Sequence, residues 1–140
     1  MAARYGKLAP MKSAICNVLT IAGVDPSGGA GIVADVKAIS AQRAYACAVV
    51  AALTAQNTQG VTAVLAIDPS FVARQIDTLF ADVRIDALKI GMIGQGAVIE
   101  AVADRVAAQA TPHRVLDPVM VAKSGDTLLE KSAIGALRET

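Results

Sequence analysis

Four polar or glycine-rich segments of this sequence could carry chemistry. They are residues 23–31 (GVDPSGGAG), 56–60 (QNTQG), 91–94 (GMIG) and 117–126 (DPVMVAKSGD). Each one follows an apolar stretch that is typical of a buried β-strand. Ligands of open α/β sheets bind beyond the carboxyl ends of the strands. Four such segments in succession therefore predict a ligand site at one edge of a sheet.

The first segment does not fit either of the common nucleotide-binding loops. A dinucleotide fingerprint needs G-x-G-x-x-G and an acidic residue about 20 positions later. Here Gly23 is followed by Gly28-Gly29-Ala30-Gly31, and residues 44–55 contain no acid. No Gly-Lys-Ser/Thr follows either, so the phosphate-loop pattern is also absent. The segment instead predicts a loop where a ligand approaches backbone beside a helix N-terminus.

Three side chains near these segments are candidates for contacting a planar ligand. Gln56 ends an apolar strand, and its amide would suit a ring nitrogen next to an exocyclic amine, or would cap the strand by bonding backbone. Asp35 could accept a hydrogen bond in the pocket, although position alone slightly favours an acid in the first helical turn, stabilised by the helix dipole. Met92 would pack in the core or place its thioether against a ring face.

The last polar segment suggests a site for an anionic group. Asp117 follows a short strand, and Lys123 lies six residues later. An aspartate and a lysine at this spacing suit a phosphate, alone or bound to a metal ion. An ion pair on the surface, which contributes little to stability, is the equally open alternative.

The elements that would position these residues alternate along the chain. Strands are predicted at 14–22, 45–55, 61–67, 87–90 and 114–116, and the strand at 45–55 reads as buried on both faces. Helices are predicted after residue 31, from Asp68-Pro69 onward, at 96–108 and at 132–138. This alternation predicts an α/β layered fold with a mainly parallel central sheet.

Composition narrows the classes of protein that remain. The chain has 140 residues, 54% of them hydrophobic and 18% charged, and a net charge of +1, which predicts one folded domain. The basic residues are scattered and no apolar run reaches about 20 residues, so neither a nucleic-acid nor a membrane partner is expected. Cys16, Cys47 and His113 lack metal-ligand spacing. We expect a cytoplasmic protein. Residues 1–12 follow no pattern, and we interpret them either as an N-terminal extension or as the result of a start codon assigned upstream of the true start at Met11.

Taken together, the motifs of this sequence resemble those of a known family. Residues 23–35 closely resemble the opening motif of hydroxymethylpyrimidine and phosphomethylpyrimidine kinases, which are thiamine-biosynthetic enzymes of the ribokinase-like superfamily. Residues 55–58 (AQNT), 89–92 (KIGM) and 116–126 match the family in the same order. The resemblance extends from Ile15 to the C-terminus.

The resemblance implies a three-layer ribokinase-like fold and a phosphotransferase. The reaction would be transfer from ATP, with Mg²⁺, to 4-amino-5-hydroxymethyl-2-methylpyrimidine and then to its monophosphate. By analogy Gln56 would bind the aminopyrimidine edge, and Asp117 and Lys123 would lie towards the phosphates. The remaining pocket residues would be Gly23, Ala30, Asp35, Met92 and Val119. A pyridoxal kinase and a non-catalytic pyrimidine-binding module are the alternatives.

The resemblance also implies what this chain lacks. Residues 13–140 would be the N-terminal half of the kinase domain, and the ending within a helical pattern suggests truncation. The anion hole, the catalytic residues and most of the ATP site would lie in the other half. We therefore expect no catalytic residue in this chain, little activity from it alone, and a homodimer at full length.

Overall fold

A computed structural model describes residues 15–119 of the chain. The elements in order are β1 (Asn17–Val24), α1 (Gly31–Ala41), β2 (Tyr45–Gln56), β3 (Val61–Ala66), α2 (Pro69–Phe80), β4 (Ala87–Ile90), α3 (Gly96–Ala107) and β5 (His113–Leu116). Every helix and strand predicted within this range is confirmed, with shifts of one to three residues at some ends. The extension at 1–12 and the helix predicted at 132–138 lie outside the described residues.

The five strands form one sheet in the order β3-β2-β1-β4-β5. β1 is parallel to both of its neighbours, β4 is parallel to β5, and only the β2–β3 pairing is antiparallel. The mainly parallel α/β fold is thus confirmed. From β1 the chain continues to β2 on one side, whereas β4 and β5 lie on the other. The order therefore reverses between β1 and β4, which creates a crevice at their carboxyl ends.

Alternation along β1 separates the two faces of the sheet. Leu19 and Ile21 are fully buried in the main hydrophobic core, together with apolar side chains of α2 and α3. Thr20 points to the opposite face, where its hydroxyl reaches Asp35 of α1. Helix α1 therefore covers one face and helices α2 and α3 cover the other, so the fold has three layers.

The start of α2 follows directly from its sequence. The Asp68 side chain accepts hydrogen bonds from the backbone N–H groups of Ser70 and Phe71, and Pro69 is the first helical residue. Both features were predicted, because they depend only on neighbouring residues.

Strand β2 is less buried than its apolar sequence predicts. Ala48 and Leu53 are exposed, and the exposed fraction of Leu53 is 43%. By register they lie opposite Thr20 and Val24, on the face that α1 covers. The prediction of burial on both faces was wrong here because β2 lies next to the edge of the sheet, where cover by α1 is incomplete.

A side chain completes the outer edge of β2 where strand β3 does not reach. β3 pairs with β2 only from Ala52 to Gln56. Just before that segment, the Gln75 side chain of α2 accepts from the Val50 N–H at 3.0 Å and donates to the Val50 carbonyl at 3.0 Å. The amide thus takes the place of a paired strand and fixes α2 on the sheet.

Replacing Gln75 by Met tests this contact, because methionine keeps the length and loses both hydrogen bonds. We expect the free energy of unfolding to fall by about 1–2 kcal/mol, at about 1 kcal/mol per lost bond. Urea unfolding measures the change. Arg74→Met, at the exposed neighbouring position, is the control and should stay within about 0.5 kcal/mol of wild type. Equal stabilities of the two variants would contradict the assignment.

Candidate functional site

A cavity of about 390 Å³ lies at the carboxyl ends of β1, β2, β4 and β5, where the strand order reverses. We call it the switch-point cavity. Its lining includes all the predicted pocket residues that the structure describes: Gly23, Ala30, Asp35, Gln56, Met92, Asp117 and Val119. Lys123, predicted beside Asp117, lies outside the described residues. The structure thus brings the described residues to one place, and the role of each stays a prediction.

The glycine-rich loop is wound around the carboxylate of Asp25. This side chain is only 4% exposed. It accepts hydrogen bonds from the Ser27 N–H and hydroxyl, both at 2.8 Å, from the Gly29 N–H at 3.2 Å and from the Ala30 N–H at 3.0 Å. Sequence reasoning did not single out Asp25. The signal was present, since an aspartate two residues before a serine is typical of an Asx-turn.

These contacts determine the direction of the pKa shift of Asp25. Burial is the largest influence and acts to raise the pKa, because it disfavours the charged carboxylate. The hydrogen bonds from Ser27, Ala30 and Gly29 favour the charged form and together outweigh burial. The pKa of Asp25 therefore lies below its ordinary value of 3.8.

Backbone contacts hold the loop against the ends of β1 and β4. The Gly23 N–H donates to the Met92 carbonyl at 2.9 Å. Gly31, with φ of 56°, starts α1, and a Cβ at this position would overlap the Gly23 carbonyl oxygen. Only glycine fits there, for reasons of both conformation and space. The cavity floor is accordingly made of closely packed backbone.

Asp35 lies inside the cavity wall rather than in the first turn of its helix. Because α1 begins at Gly31, its first turn contains no acid, and the helix-dipole interpretation of Asp35 was wrong. The Asp35 Oδ2 atom accepts from the buried Thr20 hydroxyl at 2.6 Å. The Lys89 ammonium donates to both carboxylate oxygens, at 2.9 and 3.1 Å.

Lys89 is a cavity residue that sequence reasoning missed. Its side chain is 27% exposed, and its Nζ atom lies 3.9 Å from Oδ2 of Asp117, another lining residue. Its signal was a lysine within the short apolar strand Ala87–Ile90. A charge in such a strand needs a carboxylate partner, but the sequence does not say which one.

Gln56 is half-buried at the end of β2, as predicted. Its Oε1 atom lies 3.1 Å from the Thr54 hydroxyl, which is also 2.8 Å from the Val24 carbonyl. The hydroxyl has one proton and donates to one of the two at a time. In the part of the chain that the structure describes, the side-chain amide thus contacts a hydroxyl rather than backbone, and it lines the cavity.

A second cavity of about 230 Å³ lies between α3 and strands β4 and β5. We call it the apolar cavity, because Arg114 is the one charged residue among its described lining residues. Binding sites for small molecules combine apolar walls with a few converging polar groups. The switch-point cavity has that combination and is therefore the candidate site.

Two kinds of site are absent from residues 15–119. Among these residues, no group of three or more His, Cys, Asp or Glu could hold a metal ion. The helices within the same range include none that is long and apolar enough to cross a membrane.

The fold and cavity define a class, the ribokinase-like kinases of small molecules. A solved phosphomethylpyrimidine kinase from Clostridium difficile 630 superposes with a TM-score of 0.81 at 42% identity, covering 87% of this chain and 53% of that one. A pyridoxal kinase from Staphylococcus aureus, solved with pyridoxal, superposes with a TM-score of 0.77 at 29% identity, covering 90% of this chain and 45% of that one. The ribokinase-like fold is confirmed.

The family within this class is also clear. Residues 25–140 match the family model for phosphomethylpyrimidine kinase, and the chain belongs to that family. It is 57% identical over 122 residues to the hydroxymethylpyrimidine/phosphomethylpyrimidine kinase of Escherichia coli K12, and 58% identical to that of Salmonella typhimurium LT2. Each match covers 87% of this chain and 46% of the relative, so the chain spans about half the length of these relatives.

The Asp25 contacts predict a pH-dependent contribution to stability, which Asp25→Asn should remove. Because the pKa of Asp25 is lowered by folding, its contribution is complete above pH 3.8 and is lost as the pH falls through the lower, folded-state pKa. Urea unfolding from about pH 7 to about pH 3 measures the difference between wild type and variant. That difference should shrink at the acid end.

Asp82→Asn is the control for that experiment, since it removes an exposed negative charge away from the loop. A stability difference between wild type and Asp25→Asn that grows on acidification would have the wrong sign and would refute the assignment.

Proposed function

We propose that this chain supplies the pyrimidine pocket for ATP-dependent phosphorylation of 4-amino-5-hydroxymethyl-2-methylpyrimidine and of its monophosphate, a step of thiamine diphosphate biosynthesis. The main support for the proposal is that Gln56 and Asp35 both line the switch-point cavity. An amide and a carboxylate together suit the edge of an aminopyrimidine, which presents ring nitrogens and an amine. Family membership supports the same substrate class.

The cavity has room for one ring and its substituents, since small-molecule pockets start at about 300 Å³. In this proposal Gln56 hydrogen-bonds the ring edge and Asp35 accepts from the amine. The Met92 thioether lies against the ring face. Gly23, Ala30 and Val119 complete the walls.

The phosphate end of the site would lie towards Asp117. This residue follows β5, and its side chain is 56% exposed at the cavity rim. ATP as the phosphoryl donor is supported by a related S. aureus pyridoxal kinase solved in complex with AMP-PCP. Mg²⁺ commonly takes one or two carboxylates together with phosphate oxygens, and Asp117 fits that use. Lys123 is proposed as a phosphate contact.

We further propose that residues 13–140 correspond to the N-terminal half of the kinase domain, after an extension at 1–12. Phosphoryl transfer depends chiefly on positioning and on electrostatic stabilisation of the transferred group. The groups that provide these would lie outside this half, so the chain alone should have little activity. A cytoplasmic homodimer is the proposed form of the full-length kinase.

Pyridoxal phosphorylation is the second candidate, favoured by the structural similarity to the pyridoxal kinase solved with pyridoxal. The identity is lower there, at 29% against 57% for the E. coli hydroxymethylpyrimidine/phosphomethylpyrimidine kinase. A non-catalytic module that binds a pyrimidine is the third.

Calorimetry on the chain tests the substrate. We expect hydroxymethylpyrimidine to bind more tightly than pyridoxal, and Gln56→Leu to weaken its binding about tenfold or more, since a polar ligand edge loses its partner. Gln59→Leu, which changes an exposed glutamine of the following turn, is the matched control and should bind as wild type does. Tighter binding of pyridoxal would favour the second candidate.

A turnover assay tests the proposal that this chain provides the pyrimidine pocket but not the catalytic groups. The chain and the intact E. coli relative are assayed side by side for ATP-dependent phosphorylation of hydroxymethylpyrimidine. We expect the relative to turn over and the chain to show little activity, because the proposal assigns the positioning groups to the part of the relative that these residues do not match. Comparable rates would show that the chain is catalytically sufficient and would overturn this part of the proposal.

A further inference from the structure

The structure assigns Lys89 a positioning role: we propose that it fixes the Asp35 carboxylate as a hydrogen-bond acceptor towards the ligand, and so selects rings that carry an exocyclic amine. The inference rests on the proposed function, because the ligand is taken to be an aminopyrimidine. Lys89 and Thr20, which contact Asp35 from the sheet, would explain why Asp35 distinguishes ligands with the amine from ligands without it.

Asp35 is held at three points. Its Oδ2 atom accepts from the Thr20 hydroxyl at 2.6 Å and from the Lys89 ammonium at 2.9 Å. Its Oδ1 atom accepts from the same ammonium at 3.1 Å. A carboxylate oxygen can accept about two hydrogen bonds. Oδ2 is therefore fully used by these two donors, whereas Oδ1 keeps acceptor capacity for a ligand in the cavity.

The two donors are themselves fixed by the sheet. Thr20 and Lys89 are register partners on the neighbouring parallel strands β1 and β4. Their side chains therefore stand next to each other on the face that α1 covers. Thr20 is fully buried on the central strand. Helix α1 brings Asp35 to this pair, so the orientation of the carboxylate is set by three different elements.

Space for the ammonium is provided by a glycine. A Cβ at Gly91 would lie 2.9 Å from the Lys89 Nζ atom. The residue after β4 thus leaves the ammonium its place between Asp35 and Asp117, two lining residues of the switch-point cavity. An ordinary surface ion pair would not be enclosed in this way, and its removal would change little.

Asp35 therefore presents a hydrogen-bond acceptor to a ligand in the cavity. The Thr20 hydroxyl and the Lys89 ammonium both donate to Asp35, the ammonium also lies 3.9 Å from Oδ2 of Asp117, and a carboxylate oxygen accepts but does not donate. An amine N–H satisfies it. A ring with hydrogen at the same position leaves the acceptor unpaired and gains nothing from the fixed orientation, so loss of Lys89 should affect only the ligand that has the amine.

The experiment is a double-mutant cycle measured by calorimetry on the chain. Wild type, Lys89→Met, Asp35→Asn and the double variant are titrated with hydroxymethylpyrimidine and with the analogue that lacks the 4-amino group. Lys89→Met should weaken binding of the aminopyrimidine about tenfold, and binding of the analogue less than about twofold. In the Asp35→Asn background, Lys89→Met should no longer affect the two ligands differently.

Two further variants and one control show whether a loss of binding by Lys89→Met is due to misfolding. Thr20→Val removes the hydroxyl without changing the shape, and should also weaken aminopyrimidine binding selectively. Lys89→Arg keeps a cation with several donors and should restore most of the selectivity. Arg105→Met is the matched control, since it removes the cation of the Arg105–Asp77 ion pair, which is not part of the cavity lining. It should leave both affinities unchanged.

The outcomes separate the inference from the proposed function. If wild type does not bind hydroxymethylpyrimidine, the proposed function fails and the inference fails with it. If wild type binds it, but Lys89→Met and Thr20→Val weaken both ligands equally or neither, the inference alone is overturned. Selective loss for the aminopyrimidine, cancelled by Asp35→Asn, supports both.

Discussion

The position of β1 at the centre of a mainly parallel sheet is the constraint on which the site depends. The strand order reverses beside it, so the connections that leave β1 and β4 run to opposite faces of the sheet and leave a crevice between them. The Gly23 N–H, at the end of β1, donates to the Met92 carbonyl after β4 at 2.9 Å and joins the two ends at the cavity floor. Further back on the same two strands, Thr20 and Lys89 stand side by side and hold Asp35. One strand pairing thus sets the floor, a wall and the charge arrangement of the cavity.

Among the residues that the structure describes, three carboxylates and one ammonium line this cavity, and each carboxylate is accommodated differently. Asp25 is satisfied by loop N–H groups and the Ser27 hydroxyl, so its charge maintains the shape of the loop. Asp35 is held by Thr20 and Lys89 and keeps capacity for a ligand. Asp117 is the most exposed of the three and is available to solvent or to a bound ion. The three carboxylates therefore lie in three different environments, and the proposed function assigns the ring to the surroundings of Asp35 and the phosphate to the rim at Asp117.

Local patterns predicted most of the fold but not the contacts between distant residues. The start of α2 could be predicted because Asp68 and Pro69 act on their own neighbours. Gln56 and Met92 could be placed together because parallel strands bring their carboxyl ends to one edge. The position of Asp35 could not be predicted from local patterns, because it depends on the start of α1 at Gly31, where the backbone packs against Gly23. Lys89 was missed because its partner is 54 positions away in the chain. Gln75 was missed for the same reason, since the Val50 backbone that it bonds lies in a different element.

The central claim is that the switch-point cavity binds the aminopyrimidine ring, and an NMR titration of the chain with hydroxymethylpyrimidine tests it most directly. The account predicts saturable shifts of the Gln56 side-chain amide, the Met92 methyl group and the Gly23 backbone amide, which surround that cavity. Ile99 and Val102, which line the apolar cavity, should not shift. Shifts that concentrate on Ile99 and Val102, or their absence at Gln56 under saturating ligand, would contradict the account.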